Sequence, residues 1–189
     1  LRRVGLGLTD RDALEPWSTQ VVTLGAELVA ARHRVLELLS PAFAARADEL
    51  GLADAVLAYD GEPPTVAGLA TRLARDLDRG TTSLGPHLDD IRLVAGDRDL
   101  RTYGSQGEQR LTVLALLLAE AELLADQVGV APLLLLDDAL SELDADRRRL
   151  LRARLGTSGQ TLVTATGAEA LPLAPAQLLA VTPGRVAPV

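Results

Sequence analysis

The sequence predicts an α/β fold in which a mostly helical amino-terminal part precedes a parallel strand–helix–strand unit. Two segments carry this expectation. Leu133-Leu134-Leu135-Leu136 is a short, unbroken apolar run ending in Asp137-Asp138, and Thr161-Leu162-Val163-Thr164 is a second strand-like run one helix length further on. Apolar runs without alternation suit strands covered on both faces, and the order strand, helix, strand joins them in parallel through a crossover. The third observation is bulk: 48% of the 189 residues are hydrophobic, enough for a substantial core.

Helical periodicity dominates residues 9–51. Thr9 or Asp10 can cap its start, with Asp12 and Glu15 in the first turn, where negative side chains suit the helix dipole. Val21, Val22, Leu24, Leu28, Val29, Val35, Leu36, Leu38 and Leu39 then recur near helical spacing, opposite Glu27, Arg32, Arg34 and Glu37. Pro41 predicts a break, and 42–50 reads as a second helix closed by Gly51. Val56, Leu57 and Tyr59 suggest a short strand before the turn-forming Asp60-Gly61-Glu62-Pro63-Pro64, and a helix resumes over 66–77. The texture changes after residue 79. Ile91-Arg92-Leu93-Val94 alternates like a strand, Ala95-Gly96-Asp97-Arg98 reads as a hairpin turn, and a second short strand is predicted over 100–103. Helices over 108–124 and 146–155 then flank the 133–136 strand, and the last predicted strand covers 161–164.

Composition removes several classes. There is no cysteine, so disulfides and thiolate metal sites are excluded, and two histidines make a His-rich centre improbable. The longest apolar runs, 111–119 and 130–136, are far shorter than a bilayer span needs. A formal net charge of -7 argues against coating nucleic acid by bulk charge. A cytoplasmic location fits these features. The chain starts at Leu1 and contains no methionine, and it is therefore expected to be a piece of a longer protein.

Chemistry concentrates in two segments. Gly104-Ser105-Gln106-Gly107-Glu108-Gln109-Arg110 reads as a glycine-containing turn opening a helix, which offers unpaired N–H groups, partial positive charge and a hydroxyl to an anion. Leu133-Leu134-Leu135-Leu136-Asp137-Asp138, followed by Ser141-Glu142-Leu143-Asp144, places carboxylates beyond the end of a buried strand, as a magnesium-nucleotide site in an open α/β sheet requires. The chain has no lysine, so the phosphate-cradling G-x-x-x-x-G-K-[ST] pattern is absent from it. Together these segments look like the half of an ATP site that one subunit contributes to its neighbour.

Taken in order, Tyr103-Gly104-Ser105-Gln106-Gly107-Glu108-Gln109-Arg110, the apolar helix after it, Leu135-Leu136-Asp137-Asp138 and Leu140-Ser141-Glu142-Leu143-Asp144 resemble the carboxyl half of the RecF family, bacterial recombination mediators with an ABC-type P-loop ATPase head. Arg79-Gly80-Thr81-Thr82, Gly85-Pro86-His87-Leu88-Asp89-Asp90 and the stretch from Trp17 to Arg32 are similar to further family blocks, so the resemblance covers nearly the whole chain. It implies a helical, lid-like arm over 1–79 and the carboxyl-terminal part of an ABC-type head over 80–189.

The resemblance also implies roles. Asp137 stands at the Mg2+ position, and Asp138 at that of the carboxylate that orients or deprotonates the attacking water. Ser105, Gln106, Gly107 and Glu108 form the signature turn that serves ATP held by the other subunit. Asp144 stands where the family chain crosses the dimer interface, and Thr166 where many ABC ATPases carry a γ-phosphate-sensing histidine. Glu108 replaces the usual Gln, Asp138 the usual Glu, Leu88 a typical Arg, and Gly167 an acid. Simple structural readings stand beside these roles: Ser105 as an N-cap, Asp137 and Asp138 as caps of the next turn, Asp144 as an ordinary helix start, His87 as a structural turn residue. A shorter acid at 138 implies slow hydrolysis.

The implied function is an ATP-dependent DNA-binding protein of replication and recombinational repair, which loads recombinase at single-strand gaps and participates in the SOS response. Its implied partners are DNA at single-strand/double-strand junctions, RecR- and RecO-type mediator proteins and a second copy joined by ATP, with no membrane. The chain alone, lacking a P-loop, is expected to be inactive, while the full-length protein is expected to be a weak ATPase. Two alternatives are a non-catalytic interaction module with a passive ATPase half and, ranked last, the ATPase subunit of an ABC transporter.

Overall fold

Helix α2 (Glu15–Glu49) is the longest element, and its buried stripe of Gly25, Val29, Leu36, Leu39, Phe43 and Ala47 explains its course. The break expected at Pro41 does not occur. Proline lacks an N–H and crowds the carbonyl four residues back, at a cost of about 3 kcal/mol in a helix interior. Here Pro41 lies on the exposed side, while Phe43 and Ala47 beyond it are fully buried at 0% exposure. Burying side chains of this kind contributes about 1.5–3 kcal/mol for each large one, so packing on both sides of the proline carries the helix through. The same helix also shows solvent a second apolar row that includes Trp17, Leu24, Leu28, Val35 and Leu38.

The computed structural model describes residues 1–140, 143–155, 159–167 and 177–189; Ser141 and Glu142 of the acidic motif lie outside the described residues. Before α2 come a short helix α1 (Arg2–Gly5) and a 3-10 turn at Arg11–Leu14. After it, β1 (Ala55–Asp60) leads to α3 (Val66–Arg79), capped at its start by the Thr65 side chain and at its end by Gly80 in the left-handed conformation. Strands β2 (Asp90–Ala95) and β3 (Arg98–Asp99) join β1 in an antiparallel sheet of order β1-β2-β3, with Tyr59 opposite Ile91. The predicted strand over 100–103 is instead a one-turn helix, α4 (Leu100–Tyr103). Asp99 explains the difference, because its carboxylate accepts from the N–H groups of Arg101 at 2.9 Å and Thr102 at 3.2 Å and so caps a helical start.

Helix α5 (Gln106–Val128) follows, burying Leu111, Leu114, Ala115, Leu118 and Ala119, and ends at Gly129 in the left-handed conformation. Strand β4 (Leu134–Asp137), helix α6 (Ala145–Leu155) and strand β5 (Thr161–Thr164) then form the expected parallel unit, with Asp137 opposite Thr164, but β4 is covered on one face only: Leu134 and Leu136 are buried and Leu135 is exposed. A closing antiparallel hairpin, β6 (Leu179–Thr182) and β7 (Arg185–Pro188), lies beyond the last strand that the sequence predicts, with Pro183-Gly184 between two apolar runs as its turn. One hydrophobic cluster binds Leu39, Phe43, Ala47 and Leu50 of the α2 region to Leu111, Leu114 and Leu118 of α5, to Leu134 and Leu136 of β4, and to Leu151 and Leu155 of α6. It draws on residues from both sides of position 80. Among the described residues no helix is long and apolar enough to cross a membrane.

Candidate functional site

The start of α5 is built by a reciprocal cap. The Ser105 hydroxyl accepts from the Glu108 N–H at 3.2 Å, and the Glu108 carboxylate accepts from the Ser105 N–H at 2.8 Å, which satisfies two of the donors a helix start leaves unpaired. Arg98, on the β2–β3 hairpin, donates to the other oxygen of Glu108 at 3.0 Å. The Ser105 N–H first, then the Arg98 guanidinium and the Ser105 hydroxyl, hold the Glu108 carboxyl down at about 2. Gln109 closes the turn from below, its amide donating to the carbonyls of Arg101 at 3.0 Å and Gly104 at 3.2 Å.

The two glycines of the turn differ. A Cβ on Gly104 would sit 2.4 Å from the Leu100 carbonyl oxygen, so the fold itself requires glycine there. A Cβ on Gly107 would meet nothing within 4 Å. Open space beside an exposed Ser105 leaves this end of the helix approachable from outside.

The acids lie at the carboxyl end of β4. Asp137 is its last residue and is exposed, and the Thr164 hydroxyl, across the parallel pair on β5, donates to its carboxylate. The same hydroxyl oxygen accepts from the Asp138 backbone N–H at 3.1 Å. Asp138 itself is exposed and bends the chain out of the sheet at φ 46°. An open groove of ≈ 670 Å³ runs between these elements, lined by Gln106, Gln109, Arg110 and Val113 of α5 and by Leu135, Asp137 and Asp138 of the β4 end.

The structure therefore brings Gln106 to the same groove as Asp137 and Asp138, with Ser105, Gly107 and Glu108 in the adjoining first turn. Asp144 and Thr166 are not among the residues lining it. Asp144 accepts from the Arg147 N–H at 2.8 Å as the cap of α6, and Thr166 lies exposed in the bend after β5. The Gly85 block is tied to α2 and β1 instead: Arg32 donates to the Pro86 carbonyl at 2.6 Å and to the Tyr59 hydroxyl oxygen at 3.2 Å, and Tyr59 donates to Asp89 at 2.6 Å. His87 meets the Thr82 carbonyl at 3.3 Å, a local turn contact. The sequence places Thr164 at the end of a predicted strand and gives the site role to Thr166, whereas the strand register brings Thr164 to Asp137; Arg98 reads in the sequence only as a hairpin residue.

Chemically, the groove offers amide, guanidinium and carboxylate groups, with the Ser105 hydroxyl in the adjoining turn, a set suited to phosphate and to a hard cation. Among the described residues no group of three or more His, Cys, Asp or Glu side chains is arranged to hold a metal. Asp137 alone at the strand end fits Mg2+, which is commonly bound through one or two carboxylates with phosphate and water completing its shell.

No family model matches the chain. It is similar to the DNA replication and repair protein RecF of Lacticaseibacillus casei (strain BL23), 36% identical over 173 residues that make up 84% of this chain and 47% of the relative. It is also similar to the protein of that name from Synechocystis sp., 38% identical over 177 residues, 86% of this chain and 46% of the relative. A third relative, from Geobacter sulfurreducens, is 38% identical over 179 residues, covering 87% and 49%. Among solved structures, the recombination mediator protein RecF-ATP in the RecFOR pathway superposes with TM-score 0.80 at 25% identity, over 96% of this chain and 51% of that one. RecF-ATPrS superposes with TM-score 0.81 at 24% identity over 99% and 53%, a likeness of fold. The chain spans about half the length of the relatives it matches, and within that span it belongs to the RecF family.

Proposed function

We propose that this chain supplies the signature-turn and acidic half of the ATP site in a RecF-type DNA replication and repair protein, in which ATP joins two heads. The observation that carries this reading is the shared groove between the first turn of α5 and the Asp137-Asp138 end of β4. The relatives' name, DNA replication and repair protein, and the neighbour's, RecF-ATP, support the same reading.

In this proposal each residue has a bounded task. The Ser105 hydroxyl and the N–H groups at Gln106 and Gly107 bind and orient the terminal phosphate of ATP held on the P-loop of the partner head, while the Glu108 N–H stays in the cap with Ser105. Asp137, fixed by Thr164, would hold Mg2+, which when bound neutralises phosphate charge. Asp138 orients the attacking water and accepts its proton as a general base. Asp144 meets the facing head, and Thr166 approaches the terminal phosphate from the end of β5. Residues 1–79 act as the arm and 80–189 as part of the head. Closure with ATP and reopening on hydrolysis make the protein a switch on DNA at gap junctions, in concert with RecR- and RecO-type mediators and recombinase loading in the cytoplasm.

The test uses the full-length protein. ATP with Mg2+ should drive dimerisation, measured by sedimentation velocity, and slow phosphate release should accompany it. Dimerisation indifferent to nucleotide would sink the reading. The 189 residues alone, without a P-loop, should show no micromolar ATP affinity by calorimetry.

A further inference from the structure

A carboxylate in the first turn of α5 is an obstacle if that turn must meet a polyphosphate. Helix starts favour anions, but a resident negative charge repels an incoming one. In this chain the obstacle has a specific counterweight. Arg98 Nη2 donates to Glu108 Oε1 at 3.0 Å, while Oε2 of the same carboxylate is taken by the Ser105 N–H at 2.8 Å. The neighbouring cations of the hairpin and α4 are engaged elsewhere: Arg92 with Asp99 at 3.3 Å, and Arg101 with Asp90 at 2.7 Å.

We infer that Arg98 is a positioning residue for the signature turn, cancelling the charge of Glu108 so that the turn accepts the terminal phosphate of a nucleotide held by a neighbouring head. The inference rests on the site reading given above and adds to it a residue from outside the motif. It also gives the β2–β3 hairpin a task. Arg98 pairs with Ala95 in the antiparallel sheet, so the sheet that packs beside α2 sets where the neutralising charge stands. Arg98 is half-exposed, so its effect is electrostatic and salt-dependent rather than a large share of folding stability.

The experiment is a double-mutant cycle on the full-length protein, reading ATP- and Mg2+-driven dimerisation by sedimentation velocity at low and high salt, with circular dichroism as the check on folding. Arg98→Ala is expected to weaken dimerisation by about three- to tenfold at low salt and by less at high salt. Adding Glu108→Gln to Arg98→Ala is expected to restore dimerisation to within about twofold, because the charge needing cancellation is gone while the cap remains available to Gln. Arg98→Ala without effect in a protein that dimerises with ATP overturns the inference and leaves the site reading intact. A defect in Arg98→Ala that Glu108→Gln fails to relieve also overturns it, since Arg98 would then be mere structural support. A parent protein that ignores ATP overturns the site reading itself, and the inference with it.

Discussion

Thr164 and Asp137 face each other across the parallel β4–β5 pair, and the Thr164 hydroxyl donates to the Asp137 carboxylate while accepting from the Asp138 backbone N–H at 3.1 Å. One side chain on β5 thus holds the Asp137 carboxylate and the main chain at Asp138. Thr164→Val keeps the shape of the residue and removes the hydroxyl. In the full-length protein it should raise the Mg2+ concentration needed for half-maximal ATP-driven dimerisation by about tenfold, the usual effect of losing an outer partner of a metal-binding carboxylate. Thr164→Ser should behave like the parent. Equal Mg2+ requirements in all three proteins would remove Thr164 from the site.

Asp138→Asn tests the proposed proton acceptor. ATP turnover by the full-length protein should fall by about 100-fold or more, with ATP-driven dimerisation retained or prolonged. A variant that releases phosphate at the parent rate would show that the base lies elsewhere.

Gly104 and Gly107 should separate fold from function. Gly104→Ala puts a methyl group 2.4 Å from the Leu100 carbonyl oxygen and should destabilise the chain by about 2 kcal/mol in urea unfolding. Gly107→Ala meets nothing within 4 Å and should leave stability unchanged or raise it by about 0.5 kcal/mol, since alanine favours a helix interior. The same Gly107→Ala change should impair ATP-driven dimerisation in the full-length protein, because the added methyl group occupies the face offered to phosphate.

The acid limb of stability should depend on Glu108. Its carboxyl is held at about 2 in the folded chain against 4.5 ordinarily, so the folded state favours the ionised form. That contribution is fully present above pH 4.5 and is lost as the pH falls through the folded value. Thermal melts between pH 5 and about 2 should therefore show a shallower acid dependence for Glu108→Gln than for the parent. Parallel curves would contradict the assignment.

Phe43, at 0% exposure and just past Pro41, anchors α2 to the core. Phe43→Ala should cost about 3–5 kcal/mol in denaturant unfolding, combining lost burial with an unfilled cavity. A loss below about 1 kcal/mol would mean that the second half of α2 is not held by this cluster.

The elements with strong local signals were legible from the sequence: the apolar run to Asp137, the helix after Ser105, the strand at 161–164 and the parallel pairing that their order requires. Local rules failed where longer-range forces decided. Pro41 signals a break by itself, but the burial of Phe43 and Ala47 belongs to the whole core and overrides it. Leu100 to Tyr103 looked strand-like because the side-chain cap from Asp99 depends on a turn geometry that composition does not reveal. At the site, the motifs name Ser105, Gln106, Asp137 and Asp138, whereas the choice of Thr164 over Thr166 depends on strand register and that of Arg98 on hairpin placement.

Asp138 leaves β4 with a left-handed backbone, φ 46°. Outside glycine, Asp and Asn enter that region far more readily than Glu. The shorter acid is thus favoured by the path of the main chain as well as by any demand of chemistry. Lengthening it to glutamate would gain one methylene of reach while straining the bend that aims it. In the proposed cycle, a faster variant would therefore have to reshape the strand exit together with the side chain.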